Sequence, residues 1–148
     1  MDPMILDALL ASLHHLLVFS LVAVLFAELV LVDGLTDGDR LRQLARLDQV
    51  YGALAGAVVL AGFVRAVFGA KGWSYYASNP VFWAKIGVFV AVGLLSAVPT
   101  VRLIRWRKQT ALPDAAAVYD LRRWMLAQLG LLTLIPLLAA LMARGIGY

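Results

Sequence analysis

The stretch ALLASLHHLLVFSLVAVLFAELVLV, residues 8–32, decides the fold class of this chain. Its single charged side chain is Glu28. A helix rises ~1.5 Å per residue, so about 20 apolar residues span the hydrocarbon core of a bilayer. The run is too long for a typical strand, and it lacks the basic start and small-residue cleavage site of a signal peptide. It therefore predicts a retained transmembrane helix.

Three further apolar runs follow along the chain. Residues 49–64, 86–101 and 124–143 contain no Asp, Glu, Lys or Arg. Basic residues at their ends can bury their apolar stems and carry their charges to the membrane surface, so runs slightly shorter than ~20 residues still span. The sequence predicts one all-α domain, residues 1–148, folded as an integral membrane bundle of four transmembrane helices running up, down, up and down. The predicted helices cover residues 8–32, 47–68, 80–104 and 116–143.

Glycine, aspartate and proline predict where these helices begin, bend and end. Residues 33–39, with the sequence DGLTDGD, separate the first helix from the second. Asn79 followed by Pro80 is typical of a helix start, with Asn as the N-cap and proline in the first turn. Pro99 and Pro136 lie late in the third and fourth helices, where a missing backbone N–H predicts a kink.

The composition supports a membrane protein and excludes several other classes. Hydrophobic residues make up 63% of the chain and charged residues 15%, whereas soluble domains carry ~25% charged residues. The mean hydropathy is +0.87. A typical soluble enzyme, a disordered chain and a secreted disulfide scaffold are therefore not expected. The chain has no cysteine, which excludes disulfides and thiolate metal sites.

The basic residues predict the orientation in the membrane. Arg40, Arg42 and Arg46 lie between the first and second helices, and six more basic residues lie between the third and fourth. Under the positive-inside rule both of these connections face the cytoplasm, so both termini face the periplasm of a bacterial inner membrane. The net charge of +4 is then a topology signal, and no nucleic-acid partner is expected. The six further basic residues are Arg102, Arg105, Arg107, Lys108, Arg122 and Arg123.

A layer of polar residues is predicted near the outer membrane surface. It contains His14 and His15 of the first helix, Arg65 at the end of the second and Lys85 in the third. Adjacent helical residues point ~100° apart, so the two histidines cannot both bind one metal ion. One of them can be an axial ligand of haem b, with Arg65 and Lys85 pairing its propionates. In the alternative, the histidines bond to loop carbonyls and the two cations are membrane anchors.

The second axial ligand of such a haem is left open. Met4 or Met142 could lie in the same layer, and a histidine from a second copy of the chain could take that position. The outer aromatic residues Tyr76 and Trp83 are also placed beside the cofactor. The predicted cofactor-binding residues are His14, His15, Arg65, Lys85, Trp83 and Tyr76, with His14 and His15 as the candidate metal ligands.

A second group of polar residues is predicted toward the inner side. Glu28 lies 14 residues after His14, roughly 21 Å deeper at ~1.5 Å per residue. Asp48, Tyr51 and Gln128 are expected at a similar depth. Ionisable residues inside a membrane are candidate functional groups by default, so Glu28 is a candidate proton relay. The structural alternatives are a salt bridge from Glu28 to a nearby arginine and hydrogen bonds from Asp48 and Tyr51 within the bundle. The candidate arginines are Arg46, Arg102 and Arg105.

Five stretches carry a resemblance to a known family. They are residues 13–16 (LHHL), 27–29 (AEL), 47–52 (LDQVYG), 68–85 (FGAKGWSYYASNPVFWAK) and 135–145 (IPLLAALMARG). Through them the chain resembles the bacterial membrane family called domain of unknown function 2214, over nearly its whole length.

A weaker resemblance rests on an early histidine in the first helix and an aromatic-x-Lys start to a later helix. His14 or His15 takes the first place, and Trp83-Ala84-Lys85 takes the second. In these features the chain is similar to the small haem-dependent protoporphyrinogen oxidases and to copper-resistance D-type membrane proteins. The resemblance implies that the histidine ligates haem and that Lys85 lies beside the porphyrin.

Three hypotheses of function follow. The first is a haem b protein for electron transfer or redox chemistry, with quinone as a candidate partner in the bilayer. The second is a cofactor-free structural or accessory membrane protein that forms homo-oligomers. The third is a small transporter. Whether the chain is an enzyme is left open.

Overall fold

The computed structural model describes residues 2–109 and 111–147. Within these residues the protein is helical and has no strand. The helices are α1 (Pro3–Asp33), α2 (Gly38–Phe68), α3 (Gly72–Ala77), α4 (Pro80–Arg107), α5 (Ala115–Leu132) and α6 (Leu134–Ala143). Four segments are long and apolar enough to cross a membrane: α1, α2, α4, and α5 together with α6. The predicted all-α, four-helix membrane bundle is confirmed.

The four spans form a closed ring. The α1 helix packs against α2 and α5, and α4 packs against α2, α5 and α6. We call the end of the bundle with α3 and both termini the outer end. The opposite end, with the α1–α2 and α4–α5 connections, is the inner end. The interior is mainly leucine, with Leu25, Leu44 and Leu121 fully buried, whereas side chains such as Leu94 and Phe19 face outward, as expected for residues in contact with lipid.

Capping residues explain where two of the spans begin. The α2 helix begins at Gly38 instead of residue 47, because Asp37 caps it there: the Arg40 backbone N–H donates to Asp37 Oδ1 at 2.8 Å. The charged first turns of α2 extend beyond the apolar part of the helix. The α4 helix begins at Pro80, and the Val81 backbone N–H donates to the Asn79 side chain at 2.8 Å, which confirms the predicted cap.

Proline affects the last two spans differently. The final span is interrupted at Thr133, where α5 ends and α6 begins. Pro136 follows three residues later, and its ring conflicts with the carbonyl of the residue four positions earlier, Leu132. The α4 helix instead continues through Pro99. The backbone at Thr133 stays helical, with φ −66° and ψ −21°, and Ala115–Ala143 still forms one membrane-spanning segment.

We expect the Asp37 cap to make stability depend on pH. The hydrogen bond from the Arg40 backbone N–H holds the pKa of Asp37 below its ordinary value. A carboxylate with a lowered pKa contributes stability above the pKa of the unfolded chain, about 3.9, and loses it as the pH falls through the folded value. Asp37→Asn keeps a capping oxygen but does not titrate.

The wild type should therefore lose more thermal stability than Asp37→Asn when detergent-solubilised protein is taken from neutral to acid pH. Circular dichroism melting curves measure the difference. Equal losses in the two proteins would contradict the role assigned to this cap.

Candidate functional site

His14 lies between α1 and α2 near the outer end. A methyl group placed on Gly62 of α2 would stand 3.1 Å from His14 Cε1. The imidazole therefore packs closely against α2, and a larger side chain at position 62 would crowd it. His14 Nδ1 is buried, and no hydrogen bond of good geometry reaches it within residues 2–109 and 111–147, although the Val58 backbone of α2 lies close enough to interact with the imidazole. An uncompensated buried nitrogen is costly, so this atom is a candidate ligand-binding group.

His15 points in a different direction from His14. It is exposed on the surface of the bundle, and its ring centroid lies 6.2 Å from that of His14, with the ring planes at 63°. The two imidazoles diverge, as the angular step between adjacent helical residues predicts. His14 is thus part of the bundle interior, whereas His15 faces lipid or a neighbouring molecule.

Arg65 and Lys85 bring positive charge to His14. Both lie close enough to act electrostatically on the imidazole, and they act on each other. Arg65 Nε is buried without a hydrogen bond in the described part of the chain and lies 4.0 Å from Asp7 Oδ1. Lys85 Nζ lies 5.5 Å from the centre of the Phe82 ring. This outer layer therefore combines a buried imidazole nitrogen with two cations and a single nearby carboxylate.

The two aromatic residues predicted for the site have packing contacts. Tyr76 is buried beside Phe82 and Ala66. The ring centroids of Tyr76 and Phe82 lie 5.7 Å apart. Trp83 is half exposed, and its indole N–H donates to the Ala77 carbonyl at 2.9 Å. These contacts join the short α3 helix to the start of α4.

The two methionines considered as second ligands lie in different surroundings. Met142 packs against the cluster formed by Ala66, Tyr76 and Phe82. Met4 is 78% exposed in the first turn of α1. The structure gives neither of them a contact with His14.

A buried polar group lies nearer the inner end. Glu28 is 2% exposed, and its Oε1 has no hydrogen-bond partner in the described residues. The Thr100 hydroxyl donates to Asp48 Oδ1 at 2.9 Å. The Gln128 side-chain amide donates to the Tyr51 hydroxyl at 3.4 Å. We call these five residues the inner polar cluster: Glu28, Asp48, Tyr51, Thr100 and Gln128.

Two arginines toward the inner end pair with acids other than Glu28. Arg102, one of the expected partners of Glu28, forms a 2.6 Å ion pair with Asp120. Arg122 pairs with Asp33, also at 2.6 Å. Within residues 2–109 and 111–147 no ion pair joins Glu28 to a basic residue. The expectation of an arginine partner for Glu28 is therefore not met.

Two grooves, each of about 360 Å³, lie near the inner end. The first is lined by residues that include Val32, Val118, Tyr119 and the Asp33–Arg122 ion pair. The second lies along α4 from Ala97 to Arg105. Neither groove borders His14.

Thr100 and Gly62 are the two participants that sequence reasoning missed. Threonine in an apolar run is unremarkable, since its hydroxyl can bond to its own helix. Gly62 belongs to a series of small residues that commonly allow close helix packing. Their contacts depend on how each helix is rotated about its axis. The structure shows that Thr100 contacts Asp48 and that Gly62 lies against His14.

Comparison with known proteins identifies a family. The family described as Predicted membrane protein (DUF2214) matches residues 6–147. No curated protein and no solved structure shows a significant match. Among the described residues, no group of three or more His, Cys, Asp or Glu side chains could hold a metal ion.

Proposed function

Since the chain belongs to the family Predicted membrane protein (DUF2214), we propose that this multi-pass membrane protein binds haem b at its outer end for electron transfer or redox chemistry. The observation that supports this most directly is the buried His14 Nδ1, which no hydrogen bond of good geometry reaches in the described residues. A porphyrin supplies four of the iron ligands itself. One imidazole is then enough, and a cluster of protein ligands is not needed.

The residues of the outer layer fit the chemistry of such a cofactor. Haem b carries two propionates, and Arg65 and Lys85 lie together beside His14. Arg65 Nε lacks a hydrogen bond within the described residues, and its 4.0 Å contact with Asp7 is too long to supply one. The guanidinium therefore has a donor available for a carboxylate, whereas Lys85 would act as a point charge.

The chain's own residues then have distinct roles. His14 is the proposed axial ligand, and its close contact with Gly62 restricts the orientation of the ring. Arg65 and Lys85 would orient the anionic edge of the cofactor. Bound haem supplies reversible one-electron chemistry. The exposed His15 lies on the surface of the bundle and has no part in holding the cofactor in this proposal.

The proposed setting is the bacterial inner membrane with both termini in the periplasm. The inner end carries the nine basic residues of the two connections and their flanking helix turns, and an excess of basic residues marks the cytoplasmic side. The outer layer would then lie at the periplasmic surface. Leu13 and Leu16, on either side of the histidines, are exposed to lipid, so a quinone in the bilayer is the proposed electron partner.

An absorption spectrum of the purified protein tests haem binding. After haem-replete expression, we expect a Soret band in the oxidised protein and a shifted, sharper spectrum after dithionite reduction. Titration of haem into the apoprotein, followed at the Soret maximum, should saturate at a fixed ratio. Absence of the band after both treatments would overturn the proposed function.

The packing of His14 favours a second candidate, a cofactor-free accessory protein. The imidazole already contacts α2 at Gly62, and the two inner grooves lie away from it. In that case His14, Arg65 and Lys85 would serve to fix the outer ends of three helices. A protein that binds no haem and whose thermal stability is unaffected by added haem would support this candidate.

A further inference from the structure

The inner polar cluster draws side chains from all four spans. Glu28 comes from α1, Asp48 and Tyr51 from α2, Thr100 from α4 and Gln128 from α5. Glu28, Asp48, Tyr51 and Gln128 are all buried. Two carboxyl groups inside a membrane are costly, and they are seldom placed together without a function. The cluster lies apart from the outer layer, because Glu28 is roughly 21 Å from His14 along α1.

No cation in the described residues balances these two acids. Asp48 of α2 is the charged side chain that interacts electrostatically with Glu28. The other titratable neighbour is Tyr51, which also belongs to α2. From α5 the cluster receives the neutral Gln128, and from α4 it receives the neutral Thr100. Two arginines of those helices pair with Asp33 and Asp120. Two ionised carboxylates would repel each other strongly in these surroundings, so the pair needs to bind a positive ion.

The hydrogen bonds favour a proton as that ion and Glu28 as its carrier. The Thr100 hydroxyl lies 2.9 Å from Asp48 Oδ1 and 3.0 Å from the Ser96 carbonyl. When its one proton is donated to Asp48, it stabilises the ionised form of that carboxyl group. Glu28 Oε1 receives no such bond within the described residues. Protonation neutralises the more deeply buried acid and adds an O–H that can donate to a neighbouring oxygen. We propose that Glu28 and Asp48 form an intramembrane proton-binding pair in which Glu28 carries the proton.

A groove offers this pair a connection to the inner surface. Val32 lies one helical turn after Glu28 on the same face, about 6 Å along the axis. The same residue lines the first groove of about 360 Å³, together with the Asp33–Arg122 ion pair. Protons would therefore reach Glu28 from the inner end, past Val32. This assignment does not depend on haem binding at the outer layer.

Infrared spectroscopy of the full chain in lipid vesicles tests the proposal. We expect a carbonyl stretching band of a protonated carboxylic acid that persists at neutral pH. In heavy water the band should shift, since solvent reaches the groove one turn away. Glu28→Gln should remove the band, and Asp48→Asn should retain it. Asp120→Asn, at an acid that pairs with Arg102 and does not line this groove, is the control and should leave the band unchanged.

Other outcomes would overturn the proposal. A band that survives in Glu28→Gln would place the proton elsewhere, and a band lost only in Asp48→Asn would assign it to the other acid. Loss of the band on addition of sodium ions at constant pH would show that the pair binds a metal cation instead. Helical content by circular dichroism and elution on gel filtration establish that each variant is folded, and Glu28→Gln preserves the side-chain shape.

Discussion

His14→Ala should abolish haem binding, whereas His15→Ala should retain it. The His14 ring lies inside the bundle beside Arg65 and Lys85, with a buried nitrogen that no hydrogen bond of good geometry reaches in the described residues. His15 is exposed and lies on a different side of α1. Removing the axial ligand eliminates the iron bond itself, so the Soret band of the purified protein should disappear in the first variant. The adjacent histidine is a matched control for the loss of an imidazole at this depth.

Neutralising Arg65 or Lys85 tests the proposed contacts with the haem propionates. Arg65→Gln and Lys85→Gln should each weaken haem affinity about tenfold, the effect of losing a charge-assisted contact of roughly 1.5 kcal/mol. Their spectra should keep the wild-type shape, because the iron ligand is unchanged. Haem titration at the Soret maximum measures both effects. Loss of the band in His15→Ala with retention in His14→Ala would place the iron on the bundle surface and contradict the assignment of His14.

The sequence predicts the four spans because uncharged runs mark the hydrocarbon core directly. It predicts helix ends less well. The α2 helix continues for about two and a half turns toward the inner end beyond the predicted start, since Arg40, Arg42 and Arg46 can stay helical outside the apolar region. The interruption at Thr133 arises from a proline conflict that could produce either a kink or a break, and the sequence does not distinguish between them.

The depth of the polar residues was predictable, but their partners were not. Counting residues along α1 separates the His14 layer from the Glu28 layer at ~1.5 Å per residue. Partners depend on how each helix is rotated, and this rotation follows from the packing of all four. It turns Arg102 toward Asp120 and brings Thr100 to Asp48. An arginine therefore looked like the natural partner of Glu28, while the actual neighbour of Glu28 is another acid.

Leu25→Ala should cause a large loss of stability. Leu25 is 0% exposed and belongs to the interior cluster that includes Leu21, Leu29 and Met125. In a membrane the unfolded helices remain in lipid, so truncation loses packing contacts and leaves a cavity, with little change in contact with water. We therefore expect a cost near the lower end of the range for core Leu→Ala changes, about 2 kcal/mol.

Leu94→Ala provides the matched control for this substitution. Leu94 is 72% exposed, lies in the middle of α4 and faces lipid in the native state. Its side chain meets lipid in both folded and unfolded states, so its truncation should change the free energy of unfolding by less than about 0.5 kcal/mol. Unfolding by increasing the fraction of sodium dodecyl sulfate in mixed micelles, followed by circular dichroism, measures both variants. Equal losses would mean that the interior and the lipid-facing surface contribute alike, which contradicts a bundle held together by the packing of its leucine core.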